Sequence, residues 1–95
     1  MASGSWSTLA SKMSVGRIRH GVCYLDGYVY AVGGNDENYR DLASVERYNI
    51  ATGEWSGVAD MSGVRYGHGV AVVDGCIYAV GGYGNGYLST VERYD

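Results

Sequence analysis

Tyr30-Ala31-Val32-Gly33-Gly34 decides how this chain is read, because it recurs as Tyr78-Ala79-Val80-Gly81-Gly82, a displacement of 48 residues from position 30 to position 78. A repeat of that length built on short apolar runs is the signature of a β-repeat array. In each copy the run ends in two glycines, where another backbone can come close.

The flanks repeat in step. On the N-terminal side, Val22-Cys23-Tyr24-Leu25 and Val70-Ala71-Val72-Val73 are almost wholly apolar, so each is expected to be a strand buried on both faces. Asp26-Gly27 and Asp74-Gly75 follow them, a strong signal for a two-residue hairpin turn. After the double glycine the copies diverge, as Asn35 to Asp41 in the first and Tyr83-Gly84-Asn85-Gly86-Tyr87 in the second. They converge again at Val45-Glu46-Arg47-Tyr48 and Val91-Glu92-Arg93-Tyr94. The first copy continues through the turn Ala51-Thr52-Gly53 to Trp55. Trp6 to Ala10 repeats Trp55 to Ala59. Each unit therefore predicts four short antiparallel strands, at about 20–26, 28–34, 44–49 and 54–59 in the first copy, which describes one propeller blade.

The totals agree with an all-β chain. There are sixteen Gly, ten Tyr, no Pro and no Phe in 95 residues, with no long helical periodicity. A net charge of −3 without a basic cluster gives no footing for nucleic acid or an anionic membrane. No apolar run reaches membrane-spanning length. Cys23 and Cys76 sit at non-equivalent repeat positions and form no CxxC, so both are expected to be reduced, as in a cytoplasmic setting. The opening Met1-Ala2-Ser3-Gly4-Ser5 reads as a flexible or vector-derived leader.

His-Gly-Val, Asp-Gly, the double glycine, Val-Glu-Arg-Tyr and Trp at these spacings closely resemble the kelch repeat over nearly all of residues 6–95. The resemblance implies a β-propeller of six, or sometimes seven, blades whose loops bind partners.

Strand order then bears on assembly. The chain reads as a lone fourth strand over 6–13, a first repeat over 14–62 and a second repeat over 63–95 that lacks its fourth strand. Two blades cannot close on themselves, and unpaired edges in an isolated copy favour pairing with another chain. Three copies in head-to-tail C3 symmetry make a six-bladed ring. Trp6, Thr8 and Leu9 of one copy are expected to close against Val91 and Arg93 of the next.

The remaining candidates follow from repeat position. Arg17 and Arg65 recur, as do Glu46 and Glu92, and are expected to form buried ion pairs. Gly33, Gly34, Gly81, Gly82, Tyr48, Trp55 and Tyr94 are expected to be structural. His20 and His68 precede the inner strand, near the expected central channel, and are adventitious metal candidates at most. Ile18, Arg19, Asn35, Asp36, Tyr66, Tyr83 and Asn85 lie in the two loop sets that, by the resemblance, surround a ligand pocket. Arg19 and Tyr83 fall where an adaptor of the family contacts an acidic peptide, whereas Gly67 and Asn35 supply no second cation.

No nucleophile motif, phosphate loop, dinucleotide loop or cofactor site is evident. The near-consensus repeats make a non-enzymatic, self-assembling scaffold of engineered kelch repeats the first expectation. A peptide-binding fragment of a ubiquitin-ligase substrate adaptor is the alternative. A copper-radical oxidase would need a Cys–Tyr pair that the sequence does not place.

Overall fold

Four five-residue segments, β1 (Gly21–Leu25), β2 (Tyr28–Val32), β3 (Val45–Asn49) and β4 (Glu54–Val58), form one antiparallel sheet in the order β1-β2-β3-β4. The computed structural model describes residues 4–95; Met1, Ala2 and Ser3 of the expected leader lie outside the described residues. The turn between β1 and β2 is set by its own chemistry. Asp26 and Gly27 take φ 49° and 86°, and Asp74 and Gly75 take 49° and 77°. Two successive positive φ values are the mirror-image turn whose twist matches that of paired strands.

The second copy contains β5 (Gly69–Val73), β6 (Cys76–Val80), the small hairpin β7 (Tyr83–Gly84) and β8 (Gly86–Tyr87), and β9 (Val91–Tyr94). Here the main sheet is β5-β6-β9, and no fourth strand lies beside β9 among the described residues. Equivalent strands keep equivalent register: Tyr30 faces Arg47 as Tyr78 faces Arg93, and Ala31 faces Glu46 as Ala79 faces Glu92.

Because side chains alternate across a strand, each sheet has two distinct faces. Tyr30, Val32 and Val45 of the first sheet pack on Ile77 and Ala79 of the second, forming one buried cluster between the sheets. Tyr94 completes it, its ring centroid 6.2 Å from that of Tyr30. At the edge of the same seam the Arg47 guanidinium stacks 3.8 Å above the Tyr28 ring and donates to the Tyr30 hydroxyl at 3.2 Å. Arg suits this place because its flat, weakly hydrated head can lie on an aromatic face.

The inner strands are not buried on both faces. Val22 and Tyr24 of β1 and Val73 of β5 are more than half exposed. A two-sheet chain has one internal seam, so one face of each sheet meets no other sheet. Residues 4–13 likewise contain no strand, and Trp6 and Leu9 are exposed. A strand needs a partner ladder, and the segment expected to pair lies away from a sheet in the single chain.

Candidate functional site

Two ion-paired posts carry the connecting segments onto the sheets. The Arg17 side chain is fully buried and donates to the Gly33 and Ser44 carbonyls, each at 2.9 Å, and to the Glu46 carboxylate at 2.8 Å. Arg65 repeats the set with Gly81 O at 2.7 Å, Thr90 O at 2.9 Å and Glu92 at 3.2 Å. The backbone N–H of Ser14 or Ser62 donates to the other oxygen of its glutamate. These bonds to the charged form outweigh the opposing effect of burial and hold both carboxyls below their ordinary range. With both terminal nitrogens engaged and Nε buried without a partner, each guanidinium is a framework group with no free donor fork to offer a substrate.

The loops above the strands split the sequence candidates into two clusters. Ile18 and Asn35 exchange backbone hydrogen bonds at 2.9 and 2.8 Å, and Asn35 is buried. Its Nδ2 donates to Asp41 at 2.8 Å, while its Oδ1 lies 3.4 Å from an Arg19 nitrogen. Tyr66 and Tyr83 form the matching bridge, with rings 5.4 Å apart. Tyr87 adds an edge-on ring 5.4 Å from Tyr83 and is almost fully exposed.

The clusters are joined, since the Arg19 carbonyl accepts from the Gly67 N–H at 2.8 Å. Burial raises the Tyr66 hydroxyl above its ordinary pKa, the Asp41 charge adds to that and the Arg19 charge opposes it. Arg19 is exposed and takes φ 56°, a conformation that a non-glycine residue seldom adopts. The result is one surface with a cation, a carboxylate and phenol rings in tilted and edge-on contact. Asp36 is not free to join it: its Oδ1 accepts the backbone N–H groups of Asn38 and Arg40, both at 2.9 Å. Asn85 is exposed at the tip between β7 and β8.

Sequence reasoning passed over Tyr87 and Asp41. Tyr87 was legible in Tyr83-Gly84-Asn85-Gly86-Tyr87, a turn flanked by two tyrosines that a hairpin must place opposite one another. Asp41 gave no such sign, because its partner Asn35 comes within reach only when the loop folds back.

His68 is a seam residue. A methyl group built on Gly33 would lie 3.1 Å from its Cε1, and one built on Gly21 would lie 3.2 Å from its Nε2. Both ring nitrogens are shut off from solvent without a well-aligned hydrogen bond. Among the described residues no three His, Cys, Asp or Glu side chains cluster so as to hold a metal ion. Cys23 and Cys76 are free thiols, and among the described residues no helix is long and apolar enough to cross a membrane.

The exposed sheet surfaces are the other candidate. In β6 and β9, Val80 is 45% and Val91 54% exposed, whereas their repeat equivalents Val32 and Val45 are 3% and 8%. An apolar cavity of about 80 Å³ between the sheets reaches the bare edge of β9, lined in part by Met61, Ile77 and Tyr94.

A four-stranded antiparallel sheet packed face to face on a three-stranded one of the same strand order and register defines a propeller-blade repeat protein. The sequence model of the Kelch motif matches residues 16–62 and 65–95, and the chain belongs to the kelch-repeat family. It is similar to Kelch-like protein 35 of Mus musculus, with 42% identity over 57 residues that make up 60% of this chain. The matched segment spans 10% of that relative's length.

Proposed function

We propose that the chain is a non-enzymatic scaffold of engineered, regularised kelch repeats that assembles with copies of itself. Three two-blade chains join head to tail into one six-bladed ring. The segment from Trp6 to Ala10 of one copy adds a fourth strand beside β9 of the next, with Trp6 set against Tyr94 and Leu9 against Val91. The observation that carries this reading is the bare edge of the three-stranded sheet β5-β6-β9, whose counterpart in the first sheet is filled by β4.

Covering Val80 and Val91 contributes about 1.5–3 kcal/mol for each side chain taken fully from water. A ring also removes the exposed sheet edges that a two-blade arc leaves at its ends. Three copies rather than two or four follow from the six-bladed rings of the family. Light scattering of the purified protein tests this directly, with three times the chain mass expected. A folded species of one chain mass overturns it.

The loop face favours a second activity, as a peptide-binding surface of the kind expected of a ubiquitin-ligase substrate adaptor. Its support is the exposed Arg19, joined through Gly67 to the loop of Tyr66, together with the tilted and edge-on contacts among the Tyr66, Tyr83 and Tyr87 rings. Binding of an acidic peptide that is lost in Arg19→Ala supports this reading. Binding unchanged by that substitution removes it.

A further inference from the structure

The seam inside the chain is a template for contacts that the chain's two outer faces lack. At Gly21, a built methyl group would sit 2.1 Å from Val70 Cγ2 and 3.1 Å from Val70 Cβ, so Val70 fills the space that a side chain would take. The repeat equivalents of that pair are Gly69 and Val22, and here the arrangement is open. The nearest atom to a methyl group on Gly69 is the Val80 carbonyl oxygen at 4.0 Å, and Val22 is 56% exposed. The same holds one layer away. Gly33 is covered by the Arg65 carbonyl, Met61 Cε and His68 Cε1, while Gly81 meets only the Leu88 carbonyl within 4 Å. Tyr30 has the Tyr94 ring beside it; their equivalents, Tyr78 and Tyr48, lie on the two opposite outer faces.

Resting on the head-to-tail reading above, we propose that Val22 of one copy seats on Gly69 of the next, with Met13 and His20 covering Gly81 and Tyr48 packing on Tyr78. The seats lie on the outward face of the second sheet and the keys on the outward face of the first. One chain therefore carries both halves at opposite ends, the condition for a heterologous contact that repeats around a ring. Two second-sheet faces brought together would offer seats without keys, so this device selects head-to-tail contact over a face-to-face dimer.

The closeness at Gly21 makes the seat sensitive to one methyl group, because a carbon within about 2 Å of another must displace it. Gly69 has no positive φ and open space within its own chain, so Gly69→Ala leaves the single chain folded. In the seam its methyl group would collide with Val22.

The test is native mass by light scattering, with circular dichroism on the same samples. Wild type is expected at ring mass, Gly69→Ala at the mass of one chain with an unchanged β spectrum, and Val22→Gly/Gly69→Ala back at ring mass. Gly63→Ala, where a methyl group meets nothing within 4 Å, should keep the ring. Val22→Trp enlarges the key from the other side and should also give single chains, which covers an unfolded Gly69→Ala. Wild type at one chain mass overturns the head-to-tail reading itself. An assembled wild type with Gly69→Ala and Val22→Trp both still at ring mass overturns this seat and leaves that reading standing.

Discussion

The Arg17 guanidinium and the Glu46 carboxylate meet at 2.8 Å with the arginine side chain wholly removed from water and the glutamate 7% exposed. The pair ties residues 14–17 to β3. Deleting either partner leaves a buried charge uncompensated, which costs about 3–5 kcal/mol. Arg17→Ala and Glu46→Ala should each lower the denaturation midpoint by a large and similar margin. Arg65→Ala should cost less in the single chain, because Glu92 is 26% exposed and water can solvate the charge left behind. Equal losses for Arg17→Ala and Arg65→Ala would contradict this ranking.

Acid should loosen the seam before it breaks the ion pairs. Burial first, then the charge of the neighbouring arginine, lowers the pKa of His68 and of His20 below the ordinary 6.5; for His68 the Val32 carbonyl opposes the shift and His20 adds to it. A histidine with a lowered folded pKa contributes stability that is complete above its unfolded value and lost as pH falls through its folded value. Stability should therefore begin to fall below 6.5. Glu46 and Glu92, lowered from 4.5, add a second loss only below that value. In urea titrations from about pH 7.5 to about pH 3, His68→Gln should flatten the first slope and leave the acid limb. An unaltered slope would exclude the imidazole as its source.

Gly34 should tolerate no side chain. It takes φ 96°, and an added methyl group would lie 2.5 Å from the Ile18 carbonyl oxygen and 2.9 Å from His20 Cβ. The left-handed backbone alone costs a non-glycine residue about 1–2 kcal/mol, and the backbone clash adds to it. Gly34→Ala should lower the melting temperature sharply. Gly16→Ala, with open space around it, should change stability by no more than about 1 kcal/mol. Comparable melting curves for the two variants would refute the close approach.

The two tryptophans should separate folding from assembly. Trp55 packs against Tyr48 across β3 and β4 with ring centroids 5.4 Å apart, a contact worth about 0.5–1.5 kcal/mol beyond its buried area. Trp55→Ala should destabilise the single chain. Trp6 is fully exposed there, so Trp6→Ala should leave the intrinsic stability of the chain untouched and lower the native mass. A drop in unfolding free energy at dilutions where only single chains exist would assign Trp6 to the wrong contact.

Strand positions were legible because they rest on local chemistry. Asp26-Gly27 and Asp74-Gly75 select one turn, the alternating run of β2 selects one pleat, and both recur at the repeat spacing. The recurrence of Arg17 with Arg65 and of Glu46 with Glu92 points to paired roles. The small hairpin of β7 and β8 was less legible, since two-residue strands are too short to show a period. The expectation of inner strands buried on both faces failed for Val22, Tyr24 and Val73. An apolar run states what a strand can bury and not what lies beside it.

By itself the sequence determined the repeat, the hairpins and the blade class, since each follows from residues adjacent in the chain or a fixed interval apart. Only the tertiary structure decided which face of each sheet is covered, that Asn35 meets Asp41, and that the His68 ring lies against Gly21 and Gly33. The seam contacts join residues far apart in sequence, and their distances depend on how one sheet is rotated against the next, which no local propensity encodes. Asn35 and Asp41, close in the chain, meet only because their loop folds back on itself.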